Sequence, residues 1–100
     1  RSRSRAYLRT VACLLASLRL PAGSRIAAQV DKSPQALMLY LATLRAGHVY
    51  LPLNNAYQSA EIDYFVGDAE PAVLVCSPQA RAWAEPIAQR HGVRHLYTLD

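Results

Sequence analysis

A chain of 100 residues amounts to about one small domain, and folding at this size buries roughly two-thirds of the unfolded chain's surface, enough for a modest core. Hydrophobic residues make up 52% and charged residues 18%, which excludes an intrinsically disordered chain. The net charge of +4 invites a nucleic-acid reading, but its distribution opposes one: residues 1–25 hold six arginines and no acid, while the remainder carries five bases against seven acids.

In chain order, the first expected element is a helix over residues 6–18. Leu8, Val11, Ala12, Leu15 and Leu18 recur there at helical spacing, which makes the flanking arginines a solvated face. An Arg- and Ser-rich, acid-free start is also the composition of a phosphate-neutralising arm or of an organellar transit peptide. Four apolar runs follow, at residues 26–30, 49–53, 72–76 and 95–99, separated by three segments that read as helices. Connections of that length imply parallel strands with right-handed crossovers. The all-apolar run Ala72-Val73-Leu74-Val75-Cys76 fits a strand covered on both faces. The fold class is therefore α/β: a partial doubly wound, mostly parallel sheet in β-α-β-α-β-α-β order, preceded by a helix.

Local chemistry marks the element ends. Ser33-Pro34-Gln35-Ala36 and Ser77-Pro78-Gln79-Ala80 each follow a strand, with a serine able to cap and a proline at the first helical position. The second crossover helix begins near Ser59, with Glu61 and Asp63 in its first turn at the positive end of the helix dipole. Gly47, Gly67 and Gly92 stand near the three helix ends, where a left-handed residue often terminates a helix. Pro52 and Pro71 punctuate strand edges. Helix 34–46 is apolar nearly all round: Leu37, Tyr40, Leu41 and Leu44 form one stripe, and Met38, Leu39 and Ala42 add the other sides. Such a helix is normally enclosed, so residues 1–100 alone are expected to expose an apolar patch and an unpaired sheet edge, with further chain covering the helix.

Titratable and nucleophilic residues form no complete catalytic constellation. His91 and His95 have H-x-x-x-H spacing, but Gly92 intervenes where the chain passes from helix to strand, so both are expected at the surface rather than on a metal. Glu61 with Asp63 and Asp68 with Glu70 lie two apart and point to different sides of a helix, as solvated or capping acids do. Ser33 and Ser77 lack a paired histidine and acid in sequence and are expected to cap helices. The turns carry no G-x-G-x-x-G and no G-x-x-x-x-G-K-(S/T), the glycines that let backbone amides approach phosphate. Tyr57, Tyr64 and Phe65 are expected to pack in the core. Cys13 and Cys76 sit in apolar runs, where a free thiol is a small buried hydrophobe, and no disulfide framework is indicated. No apolar run reaches eighteen residues. The expected location is the cytoplasm, or an organelle matrix if the basic start belongs to a transit peptide. Neither nucleic acid nor a membrane is an expected partner.

Residues 44–54, Leu-Arg-Ala-Gly-His-Val-Tyr-Leu-Pro-Leu-Asn, resemble the second core motif of AMP-forming adenylating enzymes, an L-(K/R)-A-G-x-x-Y-(V/L)-P-(L/I)-(D/N) run. Tyr57, Glu61, Tyr64, Asp68 and Pro71, in N-x-A-Y-x-x-x-E-I-D-Y-F-V-G-D-A-E-P order, and the phrase from Gln29 through Leu37 are similar to malonyl-CoA synthetases. The likeness covers approximately residues 8–100. It implies the N-terminal part of a ligase that adenylates malonate or a close dicarboxylate with ATP and Mg²⁺, releases pyrophosphate and passes the acyl group to CoA. Ser24 replaces the usual Asp before Arg25, and His48 replaces a small residue, a packing change rather than a catalytic base. The first core motif would lie before Arg1. The phosphate loop, the later ATP and Mg²⁺ motifs, the arginine for a second carboxylate and the C-terminal domain with its lysine would lie beyond Asp100. Since Arg1 opens the chain and Met38 is its only methionine, the expectation is a piece of a longer protein. It would be a partial N-terminal AMP-binding domain over residues 1–100 without the C-terminal domain, inactive alone, with no catalytic, cofactor-binding or metal residue and ATP, Mg²⁺ and CoA held elsewhere. Two alternatives stay open: a non-catalytic α/β remnant or interaction module, and a peptide-synthetase-type adenylation domain, against which Asn54 argues because amino-acid-activating domains usually place Asp there.

Overall fold

The structure, a computed structural model, describes residues 2–99. Its elements are α1 (Ser2–Ser17), β1 (Arg25–Gln29), α2 (Pro34–Arg45), β2 (Val49–Pro52), α3 (Ser59–Ala69), β3 (Val73–Cys76), a 3-10 turn (Pro78–Ala80), α4 (Arg81–Arg90) and β4 (His95–Thr98). The four strands form one parallel sheet in the order β2-β1-β3-β4. Register is fixed at the centre by Ile26 opposite Tyr50 and Val73, and by Ala28 opposite Pro52 and Val75.

That order explains how the helices divide. A right-handed crossover places its helix on a face set by the direction of travel across the sheet. The chain steps outward from β1 to β2, then turns back past β1 to β3 and on to β4, so α2 falls on one face and α3 and α4 on the other. The core divides in the same way. Val11, Leu15, Leu39 and Ala42 pack with Ile26, Ala28, Val73 and Val75 on one side. Ile62, Val66, Ala84, Ile87 and Ala88 pack with Ala27, Leu74 and Cys76 on the other. Alternate residues of β1 and β3 thus feed opposite cores, which is why positions 26–28 and 73–76 are apolar without alternation.

Helix α1 begins four residues before the expected start and packs Val11 and Leu15 inward, leaving Arg3, Arg5 and Arg9 exposed. Cys13 corrects the sequence expectation: two residues from each buried position, it falls on the outward side of α1, whereas Cys76 is buried as expected. Ser33 caps α2 through its Oγ, which accepts from the Ala36 N–H at 3.0 Å. Ser77 does not repeat this. The chain after it tightens into the 3-10 turn, where the Ser77 carbonyl accepts from the Ala80 N–H at 3.0 Å and the side chain makes no capping bond. Helix α3 starts at Ser59, and the Glu61 carboxylate accepts from the Gln58 N–H at 2.8 Å.

The glycine expectation holds at two of three places. Gly47 and Gly92 have φ of +80° and +70° at the ends of α2 and α4. Gly67 instead lies inside α3, which ends on Glu70 at φ +49°. The Arg25 guanidinium donates to the Ala69 carbonyl at 3.0 Å, closing one orphan acceptor at that end. Pro71 is buried just ahead of β3, and Pro52 is exposed on the outer strand β2. Among the described residues no helix is long and apolar enough to cross a membrane.

The two serines offer a direct comparison. Ser33→Ala is expected to cost about 1 kcal/mol of unfolding free energy in urea titration of the protein. Ser77→Ala is expected to cost less than about 0.5 kcal/mol, as for a surface change without a lost cap. Equal losses would show that the two hydroxyls cap alike.

Candidate functional site

The loops at the carboxyl ends of the strands enclose a cleft of about 530 Å³. Gln29, Val30 and Asp31 reach it from the end of β1, Asn55, Tyr57, Gln58 and Ser59 supply one wall, and Ser77, Gln79 and Trp83 supply the other. Its place follows from topology. The helix after β1 goes to one face and the helix after β3 to the other, so the two loops part and leave a crevice between neighbouring strands. The volume falls in the range of small-molecule pockets.

Gln29 organises the cleft. Its side chain is only 7% exposed, and Nε2 donates to the carbonyls of Asn54 at 3.0 Å and Tyr57 at 3.1 Å. Both amide hydrogens of a strand residue therefore hold the loop between β2 and α3. Asn54 Oδ1 accepts from the Ala56 N–H at 2.8 Å, and Asn55 Nδ2 donates to Asp31 Oδ1 at 3.1 Å, tying the same loop to β1. Tyr57 leaves this loop to stack on Phe65 at 5.0 Å and itself rests against the core. Tyr64, the third member of the expected aromatic core cluster, meets Phe65 edge-on but faces solvent, because Ile62 and Val66 occupy the inward side of α3.

Among the described residues the lining is mainly amide, hydroxyl and aromatic, with Asp31 as its one carboxylate and no lysine, arginine or histidine. Ser59 and Ser77 share this lining with no imidazole among the described residues. Residues before a parallel strand or at the end of the preceding helix sit at the amino edge, and there lie His48 just before β2, His91 at the end of α4 and His95 opening β4. His48 is buried, and its Nδ1 lacks a hydrogen-bond partner among the described residues. The Cys76 thiol is held above its ordinary pKa by burial, with Arg81 opposing weakly, which disfavours the reactive thiolate. The described residues of the rim do not fit a nucleoside triphosphate, since among them there is no cation and no glycine turn for its phosphates. Among the described residues no group of three or more His, Cys, Asp or Glu could hold a metal ion.

A second polar cluster, outside the cleft, joins α3 to α4 and corrects two expectations. Asp63, expected to be a solvated or capping acid, accepts from His91 Nε2 at 2.7 Å and from Arg90 Nη1 at 2.8 Å. His91, expected at the surface, is partly buried against Gly67, where an added Cβ would come within 2.8 Å of its Cε1. Gly67 thus gives the ring room, a role that only the fold displays. Because a carboxylate only accepts, Nε2 is the protonated nitrogen. The His91 hydrogen bond holds the Asp63 carboxyl below its usual range; burial opposes it, and the hydrogen bond and charge of Arg90 add to the lowering.

The stabilisation that follows from a depressed carboxyl is complete above the ordinary carboxylate range and disappears as pH falls through the lowered folded value. Asp63→Asn is therefore expected to flatten the acid limb of the stability–pH curve while changing little in its slope near neutrality; an unchanged acid limb would oppose this. Gly67→Ala should break the His91 contact and destabilise the protein. In a His91→Ala background the same change should stabilise it by up to about 1 kcal/mol through helix propensity. Additive effects in thermal melts would show that the two positions do not meet.

The doubly wound sheet and its cleft at the switch point define an α/β ligand-binding architecture. The family model described as AMP-binding enzyme matches residues 4–99, and the chain belongs to that family. ATP-bound MatB from Rhodopseudomonas palustris is similar at 50% identity and a TM-score of 0.86, over 96% of this chain and 18% of that one. Malpinin synthetase of Mortierella alpina is 35% identical over 91 residues, which is 91% of this chain and 1% of its own length. The L-proline–[L-prolyl-carrier protein] ligase of Streptomyces coelicolor is 38% identical over 69 residues, 69% of this chain and 13% of its own length. The chain thus spans less than a fifth of each.

Proposed function

We propose that this chain is the N-terminal scaffold of an ATP-dependent acid–CoA ligase whose acid is malonate or a close dicarboxylate. The observation that carries this reading is the run from Leu44 to Asn54, folded as the end of α2, the Gly47 turn and β2, in a chain 50% identical to MatB. The net reaction joins malonate, ATP and CoA to give malonyl-CoA, AMP and pyrophosphate. ATP, Mg²⁺, CoA and the acid are held by segments outside residues 1–100, in keeping with the cation-free, glycine-free rim of the cleft. Residues 1–100 form part of the N-terminal AMP-binding domain and contribute position rather than chemistry. Gln29 and Asn54 fix the loop that faces the carboxyl edge, where the rest of a site would meet the sheet.

A second reading keeps adenylation and changes the acceptor to a carrier protein, and the likeness to the proline–carrier ligase favours it. Asn54 favours the CoA reading. The intact protein, assayed for AMP release with CoA present, is expected to respond to malonate at least ten-fold more strongly than to acetate or to L-amino acids. Amino-acid-dependent exchange of pyrophosphate into ATP, without a malonate response, would select the carrier reading instead.

A further inference from the structure

The cleft carries two acceptors that the fold leaves unused. Gln29 spends both amide hydrogens on the carbonyls of Asn54 and Tyr57, so what remains is the acceptor Oε1, and no described group donates to it. The side chain is only 7% exposed and lines the cleft, which makes Oε1 a buried acceptor opening on that space. Two residues on, Asp31 takes a hydrogen bond on Oδ1 from the neutral Asn55 amide and pairs with no cation among the described residues. A second hollow of about 380 Å³ shares Val30, Asp31, Ser77 and Gln79 with the cleft. Among the described residues neither lining brings a lysine, arginine or histidine to offset the carboxylate; Lys32 follows Asp31 in the chain but belongs to neither. On the opposite wall stands Trp83, the single tryptophan of residues 1–100, partly buried against the core of α3 and α4.

We propose that this cleft binds a small planar organic cation, an amidinium or guanidinium, with its N–H groups on Asp31 and Gln29 Oε1 and its flat face toward Trp83. The three groups divide the recognition. Asp31 answers the charge, the carboxamide oxygen takes a second hydrogen, and the indole face attracts a flat cation through its ring quadrupole. An anion would meet two bare acceptors and no cation. A hard metal ion takes six or more oxygen ligands, which one carboxylate and one carboxamide do not supply. The cleft's volume and its place at the switch point suit a small molecule better than a protein segment. The inference goes beyond the ligase reading and does not depend on which acid is activated, so a failed malonate assay leaves it standing.

The test is calorimetric titration of the intact protein with benzamidine, a planar amidinium, and with benzamide, its neutral isostere. Benzamidine is expected to bind with a Kd below about 1 mM, and benzamide about ten-fold or more weakly. Asp31→Asn keeps Oδ1 for the Asn55 bond and removes the charge, so it is expected to weaken benzamidine by about ten-fold and to leave benzamide unchanged. Glu85→Gln, which removes an exposed carboxylate on α4 outside both linings, is expected to change neither. Equal affinity for the two compounds, or benzamidine binding undiminished by Asp31→Asn, would overturn the proposal, as would no binding of benzamidine at about 10 mM. A salt series on the unsubstituted protein needs no variant. Between about 0.05 and about 0.5 M NaCl the affinity for benzamidine is expected to fall while that for benzamide holds, and an unchanged benzamidine affinity refutes the role of the charge.

Discussion

The pairing of β1 with β3 is the constraint on which the rest of the structure depends. These two strands are neighbours in space but are separated in sequence by two helices and an outer strand, and both cores are built on them. Ile26, Ala28, Val73 and Val75 give α1 and α2 something to cover, and Ala27, Leu74 and Cys76 do the same for α3 and α4. Burying one fully exposed aliphatic side chain is worth about 1.5–3 kcal/mol, so residues enclosed on both sides of one ladder form the centre of gravity of the fold. Because the connections leave these strands toward opposite faces, the same pairing opens the cleft at their carboxyl ends.

Much of this was legible in the sequence because strand and helix signals agreed with one another. The apolar runs at residues 26–30, 49–53, 72–76 and 95–99 sit within a residue of the strands observed, and the serine–proline pair at Ser33 marks a real cap. What escaped were features that depend on a second element. Ser77 has the same local sequence as Ser33 but leads into a 3-10 turn. Gly67 looks like a helix terminator until His91 arrives from α4 to occupy the space that a side chain would take. Cys13 and Tyr64 stand in apolar company along the chain yet face outward, since burial depends on which side of a helix meets the sheet.

The cleft was the least legible part. Gln29 stands at the end of an apolar run, and nothing in its sequence neighbours says that its two amide hydrogens will hold Asn54 and Tyr57, about 25 residues away. The hint that was present is chemical: a carboxamide at the inner end of a buried strand must find partners there, because an unpaired buried polar group costs about 1–3 kcal/mol. Such a residue belongs among candidates for organising a loop.

Pro52 gives the outer strand a further property. The N–H groups of Val49 and Leu53 donate inward to Ser24 and Ala28, so the alternate positions 50 and 52 face away from the sheet. Proline has no N–H, which leaves Tyr50 as the one strand residue of β2 with an outward donor. A chain trying to extend the sheet by adding beside β2 would find a single amide instead of a ladder. The edge is self-terminating, and a four-residue strand is thereby guarded against templating fibrils by the same residue that makes its sequence recognisable.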